Sequence, residues 1–381
     1  MTERQQLLGI LGLIYLTECI RWVRRGGVVF NSAPEARIWR KSPLLNNSQG
    51  DAYIGWALPT FGEFHVARGF PFSPHTDGLL TFTAASFHQD GRPSQPAFLK
   101  PWNDLSQITA QGEKLVVSGQ AVWVCDTPNE AGRLAAEIRA GAALEPNRRT
   151  EWSHRLLEAQ FDVPAIRERL ADSRRRLRRL RQVGAAAWSL MFLAMPVAVW
   201  RWGWTPPLWI GIPLLFACSL WISREVLRLH REWFPQAGDD RFRLVLLTAL
   251  SPVTAVRAAE LLDRPRFEEF HPAALALASL PREAAEPLCA ALWRDLKHPR
   301  LPLPALPADQ LLIESKWRDQ VLKTFGHAAS KEGFDTVRWD APPARTESNH
   351  GRYCPRCHAQ STSQGTVCQD CGGIALLDIP A

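Results

Sequence analysis

The stretch that decides the architecture reads VGAAAWSLMFLAMPVAVW over residues 183–200 and PPLWIGIPLLFACSLWIS over residues 206–223. Each run is about as long as the roughly 17–25 residues that a helix needs to cross the hydrocarbon core of a bilayer. In that core every backbone N–H and C=O must be bonded within the segment, so both runs are predicted to be helical. The tryptophan-rich turn between them suits the headgroup layer. The sequence therefore predicts a transmembrane helical hairpin over residues 183–223.

Arginine is concentrated at the outer ends of this hairpin. The basic cluster ahead of it consists of Arg174, Arg175, Arg176, Arg178, Arg179 and Arg181, and Arg224, Arg228 and Arg231 follow it. A buried helical hairpin in a soluble core is the alternative, but it explains neither this charge pattern nor the near absence of polar side chains in the runs. Because an excess of arginine marks the cytoplasmic side, both outer ends are predicted to be cytoplasmic. Anionic lipid is the predicted partner of the basic cluster.

The N-terminal segment contains a shorter apolar stretch over residues 7–20, which is followed by Arg21, Arg24 and Arg25. It has neither the positive start nor the small-residue cleavage site that a signal peptide usually has. We interpret residues 1–26 as a membrane or interfacial helix. A crossing with the N-terminus outside is the favoured interpretation, and a helix lying in the interface is the alternative.

The chain has 381 residues and a net charge of +7, and it contains eight cysteines. Its length predicts two or three domains. Four of the cysteines lie singly in apolar surroundings, where a free thiol commonly behaves as a small hydrophobe. The other four form two C-x-x-C knuckles: Cys354, Cys357, Cys368 and Cys371.

Two paired knuckles allow four thiolates to meet one ion tetrahedrally, so the spacing predicts a structural zinc site. The glycines after the second knuckle allow a tight backbone turn. Residues 352–377 resemble the short zinc-ribbon family, which implies a small β-hairpin ribbon with a four-cysteine site. Because four thiolates already close such a site, His358 is predicted to be a non-ligand. A site closed by four thiolates leaves no open position for catalysis. The thiolates also need a reducing compartment, which agrees with a cytoplasmic C-terminus.

Some zinc ribbons bind nucleic acid, but the loop over residues 358–367 contains no lysine or arginine. Because phosphate contacts dominate nucleic-acid affinity, nucleic acid is predicted not to be the partner.

Residues 27–147 are predicted to form a cytoplasmic β-rich domain closed by a helix. Strand-like segments occupy residues 107–110, 114–117 and 120–125, joined by glycine-containing turns. Thr127 to Glu130 then supply a capping box with proline at the first helical position, followed by a helix with one apolar face. This order resembles the layout of pleckstrin-homology-like domains, which implies a lipid- or protein-binding scaffold.

The remaining segments complete the predicted domain order. Residues 148–182 read as a basic amphipathic helix with a thin apolar stripe (Ile166, Leu170, Leu177 and Leu180), through which the chain could self-associate. Residues 224–326 read as a cytoplasmic helical region of short helices separated by prolines. Residues 327–351 are polar and read as a flexible linker to the zinc ribbon at residues 352–381.

An enzymatic site in residues 30–106 is the alternative function. Its support is a group of histidines and aspartates: His65, His75, Asp77, His88 and Asp90. No pair has the spacing of helical metal ligands, and no H-E-x-x-H pattern or nucleophile elbow is present. The sequence therefore leans away from an enzyme.

The sequence as a whole predicts an α+β integral membrane protein of the bacterial inner (plasma) membrane, with its bulk and C-terminus cytoplasmic. The predicted function is a membrane-anchored scaffold or regulatory protein that binds the bilayer and a protein partner. Two alternatives remain open, namely a membrane-bound enzyme and a membrane tether that contacts nucleic acid through the ribbon.

Overall fold

The computed structural model describes residues 3–18, 20–24, 28–31, 52–56, 64–67, 69, 72–81, 99–125, 127–203, 207–235, 237–299, 307–362 and 364–380. These residues form a mixed fold in which helices predominate and the strands are short and antiparallel.

The helices are α1 (Glu3–Glu18), α2 (Trp102–Leu105), α3 (Pro128–Ala142), α4 (Pro146–Gln160), α5 (Val163–Ser189), α6 (Met195–Trp202), α7 (Ile212–Trp233), α8 (Gly238–Leu250), α9 (Pro252–Val256), α10 (Ala258–Asp263), α11 (Pro272–Ser279), α12 (Arg282–Lys297), α13 (Ala308–Lys331) and α14 (Thr336–Trp339). The strands are β1 (Ile20–Arg24), β2 (Val28–Asn31), β3 (Ala52–Trp56), β4 (Phe64–Ala67), β5 (Phe72–Pro74), β6 (Gly78–Thr81), β7 (Leu99–Pro101), β8 (Thr109–Gln111), β9 (Lys114–Val117), β10 (Gln120–Val124), β11 (His350–Tyr353), β12 (Gln360–Thr362), β13 (Val367–Cys368), β14 (Ile374–Ala375) and β15 (Leu377–Asp378).

Two helices are long and apolar enough to cross a membrane: Val163–Trp202, which joins α5 to α6, and Trp209–Trp233, which contains α7. Only 22% of the apolar window of the first and 33% of that of the second are buried within the chain. A core helix of a soluble protein would have most of this surface covered. The sequence predicts a basic helix that runs into the first apolar run, and in the structure α5 continues into that run without a break. Residues 204–206, in the predicted turn, lie outside the described residues.

Each of these helices contains a wide π-helical turn, at Leu190–Ala194 in the first and at Pro207–Gly211 in the second. The turns directly precede α6 and α7, and the second residue of each of those helices is a proline, Pro196 or Pro213. A proline ring removes one backbone donor and clashes with the preceding turn. A widened turn accommodates both effects, so neither helix is broken.

The predicted N-terminal helix over residues 1–26 is shorter in the structure. α1 has 16 residues and ends at Glu18, and β1 then pairs with β3 in antiparallel fashion. The described arginines of this segment, Arg21 and Arg24, therefore lie in a strand. The side chains of Ile10 and Leu13 are 57% and 64% exposed, and α1 contacts α6. Whether α1 crosses a membrane or lies in its interface stays a prediction.

The β-rich segment consists of two three-stranded sheets, β5–β6–β7 and β8–β9–β10, and two strand pairs, β1–β3 and β2–β4. The predicted meander before α3 is confirmed in β8, β9 and β10. The predicted cap of α3 is confirmed as well, because Thr127 Oγ1 accepts a hydrogen bond from the Glu130 N–H at 3.1 Å. The described strands form separate small sheets, and the resemblance to pleckstrin-homology-like domains stays a prediction.

The apolar face of α3 closes a compact core under the meander. The residues of that face, each at most 2% exposed, are Ala131, Leu134, Ala135 and Ile138. They pack against Leu115 of β9 and against Trp102 and Leu105 of α2. The β-rich segment therefore has a hydrophobic core of its own.

A larger core joins α4, the start of α5, α11, α12 and α13 around Phe267 and Phe325, both of which are 0% exposed. The four residues of the predicted self-association stripe on α5 are also buried, at 0–3% exposure: Ile166, Leu170, Leu177 and Leu180. The first two belong to this core, and the last two pack against α7 and α10. Because the chain itself covers the stripe, these side chains are not exposed to a second copy, and self-association of the chain stays a prediction.

The basic helix predicted over residues 148–182 is two helices in the structure. α4 ends at Gln160, and Asp162 caps α5 by accepting a hydrogen bond from the Ala165 N–H at 3.0 Å. Phe161, between the two helices, is buried in the larger core.

The predicted flexible linker over residues 327–351 is ordered instead. α13 continues to Lys331, and α14 follows after a glycine turn at Gly333. Trp339 at the end of α14 is 2% exposed and lies 5.5 Å from the ring of Phe325. Burial of this tryptophan fixes the segment to the larger core. The polar composition of residues 327–351 gave no indication of that contact.

Candidate functional site

Four thiols near the C-terminus are positioned to hold a metal ion. β11 leads into the first knuckle and β13 into the second, and the Sγ atoms of Cys354, Cys357, Cys368 and Cys371 all lie within 4.8 Å of one another. The Sγ atoms of Cys357 and Cys368 are 3.7 Å apart. Zinc–sulfur bonds of about 2.3 Å in a tetrahedron separate neighbouring sulfurs by about 3.8 Å. The cluster is therefore compatible with a metal ion such as zinc.

The backbone after the second knuckle turns in the way the site requires. Gly372 and Gly373 have φ values of 76° and 98°, and the Gly373 N–H donates to the Cys368 carbonyl at 2.8 Å. Only glycine adopts such φ values without strain, so the predicted role of these glycines is confirmed. The ring of His358 packs against Tyr353 with its centroid 5.7 Å away. His358 is not a member of the four-cysteine cluster.

Three of the four thiols are nearly inaccessible, since Cys354, Cys368 and Cys371 are at most 7% exposed. Burial raises the pKa of the Cys371 thiol to about 12, and its contact with Cys357 adds to the shift. Without a cation, the Cys371 thiol would stay protonated at neutral pH. Metal binding to such a site must therefore release protons.

The ribbon is docked on the helical core. The side chain of Arg356, which is 4% exposed, donates through Nε to Asp295 Oδ1 on α12 at 2.9 Å. In return, Arg294 Nε donates to the Arg356 carbonyl at 3.3 Å, and Arg294 also donates to the Trp339 carbonyl. Arg356, which lies between the knuckle cysteines, thus attaches the ribbon to α12, and Arg294 of α12 joins that contact to α14. The sequence did not reveal this contact, because the partners are about sixty residues apart in the chain.

The predicted basic cluster on α5 divides into two parts. The exposed members are Arg174, Arg175, Arg176, Arg178 and Arg179. Arg181 points inward, with its guanidinium 14% exposed and 3.1 Å from the carboxylate of Asp263. Arg181 therefore belongs to the protein interior and does not contribute to a basic surface.

Asp263 is the centre of a buried polar group that sequence reasoning missed. Its carboxylate is 1% exposed and also lies 3.4 Å from Nδ1 of His65. The ring of His65 contacts Phe267 at 4.4 Å. The group joins β4, α5 and α10, so its observed role is to link the β-rich segment to the helices.

The histidines that suggested an enzymatic site have separate environments. His65 is buried in β4, whereas His75 lies in the turn between β5 and β6, 3.7 Å from the exposed Asp77. His88 and Asp90 lie outside the described residues. Among the described residues, these histidines and carboxylates therefore do not assemble into one site.

A cleft of about 1240 Å³ opens between α3, the turn from α7 to α8 and residues 265–269. Its wall carries both signs of charge, with Arg133 and Arg169 both paired to Glu269. Burial raises the pKa of Asp240 at its edge. The cleft is open to solvent, and its lining mixes polar and apolar groups about equally, as protein surfaces that bind a partner reversibly commonly do.

Large apolar side chains are exposed around the hairpin turn. Trp200, Trp209 and Ile210 are 59%, 78% and 68% exposed. Tryptophan at both ends of such a turn matches the aromatic belts of membrane interfaces.

Comparison with protein-family models, with curated proteins and with solved structures finds no match to this chain.

Proposed function

We propose that this protein is an integral membrane protein whose helical hairpin anchors a large α+β assembly on the cytoplasmic face. There the assembly acts as a scaffold or regulatory module that binds anionic lipid and a protein partner. The observation that carries this proposal is the pair of long apolar helices, which are mostly uncovered and end at exposed arginines. Water would not tolerate so large an apolar surface on a monomeric protein, whereas a bilayer would cover it.

In this proposal zinc occupies the four-thiolate cluster and has a structural role. Four protein ligands leave no open position for water or substrate. The ion would hold two knuckles in the shape that presents Arg356 to Asp295, and so would attach the C-terminal module to α12.

Nucleic-acid binding by the ribbon has little support from the contacts of its arginines. Arg356 is buried against Asp295, and Arg352 donates to Asp378 Oδ1 at 3.0 Å. Neither guanidinium is presented to a phosphate, which is the contact that such binding needs.

The topology is tested in the full chain with one epitope inserted after Gly203 and another at the C-terminus. We expect the protein to resist alkaline extraction from membranes. In inside-out vesicles, protease should remove the C-terminal epitope and spare the one after Gly203. Alkaline extraction into the supernatant would contradict membrane spanning, and the opposite protection pattern would contradict the orientation.

The scaffold role is tested by a photoreactive residue in place of Asp239, on the rim of the cleft, with Glu283 on α12 as the matched exposed control. We expect irradiation of native membranes to give a discrete protein adduct from position 239 and none from position 283. Identical patterns from the two positions would contradict the cleft as the partner surface.

A further inference from the structure

A second apolar element follows the hairpin. Residues 244–256, LVLLTALSPVTAV, contain no charged side chain and lie between Arg243 and Arg257. Thirteen residues are too few to span a bilayer. An apolar stretch of about 10–14 residues is typical of a core helix or of a segment that enters the membrane and returns. The contacts of α8 and α9 distinguish these two possibilities.

α8 runs back along α7 toward the apolar part of the hairpin. Near its start, Arg241 donates to the Phe234 carbonyl just beyond the end of α7. Further on, the hydroxyls of Thr248 and Ser223 are 3.0 Å apart. Val253 of α9 then packs with the group that contains Leu215. The partner on α7 thus moves steadily into residues 206–223, the second apolar run.

α9 reaches the first apolar run as well. A Cβ atom on Gly184 would lie 3.1 Å from the carbonyl oxygen of Val256, so α9 touches the backbone of α5 at that glycine. Gly184 lies beyond the last charged residue of α5, inside residues 183–200. Small residues permit such close approach between helices in membranes. α9 therefore packs against both apolar runs.

The face of α8 that points away from α7 is apolar and uncovered. Phe242, Leu246, Leu247 and Leu250 are 71%, 44%, 45% and 66% exposed. The three leucines follow Phe242 by four, five and eight residues, which places all four side chains on one side of the helix. The opposite side carries Thr248, which is 0% exposed. A core helix would have both sides covered.

The polar groups in the turn between α8 and α9 are bonded within the chain. The Ser251 N–H donates to the Leu247 carbonyl at 3.0 Å, and Ser251 Oγ accepts from the Thr254 N–H at 3.2 Å. Thr248 Oγ1 donates back to the Leu244 carbonyl at 3.0 Å. Internal bonding of this kind is what a turn in an apolar medium requires.

We propose that residues 244–256 form a re-entrant element, which enters the bilayer from the side of the basic cluster and returns to that side. Its exposed stripe contacts lipid acyl chains, continuous with the uncovered surface of the hairpin. This inference rests on the proposed membrane anchoring. It assigns to the membrane a segment that sequence analysis placed within the cytoplasmic helical region over residues 224–326.

The test uses the full-length protein in vesicles of phosphatidylcholine and phosphatidylglycerol, with a photoreactive benzophenone residue at one position at a time. Leu250 is the test position, Leu220 on α7 is the control within the hairpin, and the exposed Glu283 on α12 is the aqueous control. Leu250 and Leu220 are 66% and 61% exposed, so the bulky residue fits at both. We expect lipid adducts at 250 in a yield about equal to that at 220 and roughly tenfold above that at 283, because benzophenone inserts into C–H bonds, which acyl chains supply and water does not.

Lipid adducts at 220 without adducts at 250 would overturn the re-entrant element and leave the anchored hairpin intact. Adducts from 250 to a second copy of the chain would also overturn it, since the stripe would then be a protein interface. Absence of lipid adducts at both positions would overturn the membrane anchoring itself. A photoreactive residue at Leu247 repeats the measurement on the same stripe, so that a folding defect at one position does not decide the result.

Discussion

At the scale of single residues, the four cysteine thiols are the clearest link between sequence and chemistry. We expect the purified protein to contain about one zinc ion per chain, the stoichiometry that a closed four-thiolate site implies. Replacing Cys354 and Cys371 with serine should abolish the bound zinc, because two hard hydroxyls cannot replace two thiolates. Metal analysis of the purified proteins measures this. Cys218→Ser is the control, since that thiol is distant from the cluster in sequence, and equal zinc loss in the control would contradict the assignment.

His271 predicts a pH dependence of stability. Its ring is 5% exposed and stacks on Phe161 with centroids 4.5 Å apart, while Nδ1 accepts from the Ala273 N–H at 3.2 Å. Burial lowers the pKa of His271 from 6.5 to about 3. The folded protein therefore keeps the ring neutral, whereas the unfolded chain takes up a proton below pH 6.5. The contribution of the neutral ring to stability is fully present above pH 6.5 and is lost as the pH falls toward 3.

Between pH 6.5 and pH 5 this linkage should cost up to about 2 kcal/mol of stability. The measurement is the thermal midpoint of the detergent-solubilised protein at the two pH values. His271→Asn keeps an acceptor near the Ala273 N–H and cannot titrate, so its midpoint should shift less on acidification. Equal shifts in the variant and the natural protein would contradict a role for His271.

At the scale of elements, the ribbon and the helical core should behave as one unit. Asp295→Asn removes the carboxylate that the buried Arg356 guanidinium contacts. We expect this change to weaken docking by about 1–3 kcal/mol, as for other hydrogen bonds to charged groups. Hydrogen exchange of the amides in β11 and the first knuckle measures the effect, and exchange should become faster.

Asp378→Asn is the matched control for that variant. Asp378 is 83% exposed and pairs with Arg352 within the ribbon itself. Exposed pairs contribute between about 0 and 1 kcal/mol, so exchange in the knuckle should hardly change. If Asp295→Asn leaves exchange as slow as in the control, the ribbon is held by other contacts.

At the scale of the whole molecule, the exposed arginines at the ends of the hairpin should select anionic lipid. Replacement of Arg178, Arg179, Arg224 and Arg231 with glutamine removes four positive charges from this surface. Basic residues near a membrane contribute about 1 kcal/mol each, so the ratio of phosphatidylglycerol to phosphatidylcholine that copurifies should fall. Mass spectrometry of the bound lipid measures this ratio. Arg338→Gln with Arg345→Gln is the control at exposed arginines far from the hairpin in sequence, and an equal fall there would contradict selection by the arginine surface.

The sequence predicted those elements whose cause is local. Apolar length determines the two long helices, the capping box and proline determine the start of α3, and knuckle spacing determines which cysteines meet. Ser251 and Pro252 likewise begin α9 as a cap followed by a first-turn proline. Each of these signals lies within one helix, one turn or one pair of knuckles, so no distant contact is needed to interpret it.

The tertiary structure alone decided where the elements lie and what covers them. Arg181 is the same residue type as its exposed neighbours and has a similar local sequence. Its side chain is buried because it donates a hydrogen bond to Asp263, 82 residues later in the chain. Trp339 lies in a polar segment, yet the aromatic core around Phe325 orders that segment and removes the expected linker. The sequence shows that the stripe on α5 is apolar, but it does not show that the stripe is buried. The residues that bury it belong to helices later in the chain.

From sequence alone, then, the arginine-flanked hairpin and the four-cysteine cluster could be identified, because hydrophobic length and ligand spacing are properties of contiguous residues. The direction of α8, the docking of the ribbon and the inward turn of Arg181 required the tertiary structure. Each depends on contacts between residues tens of positions apart in the chain. Many alternative contacts have similar free energies, so only the packing of the whole chain decides which of them form.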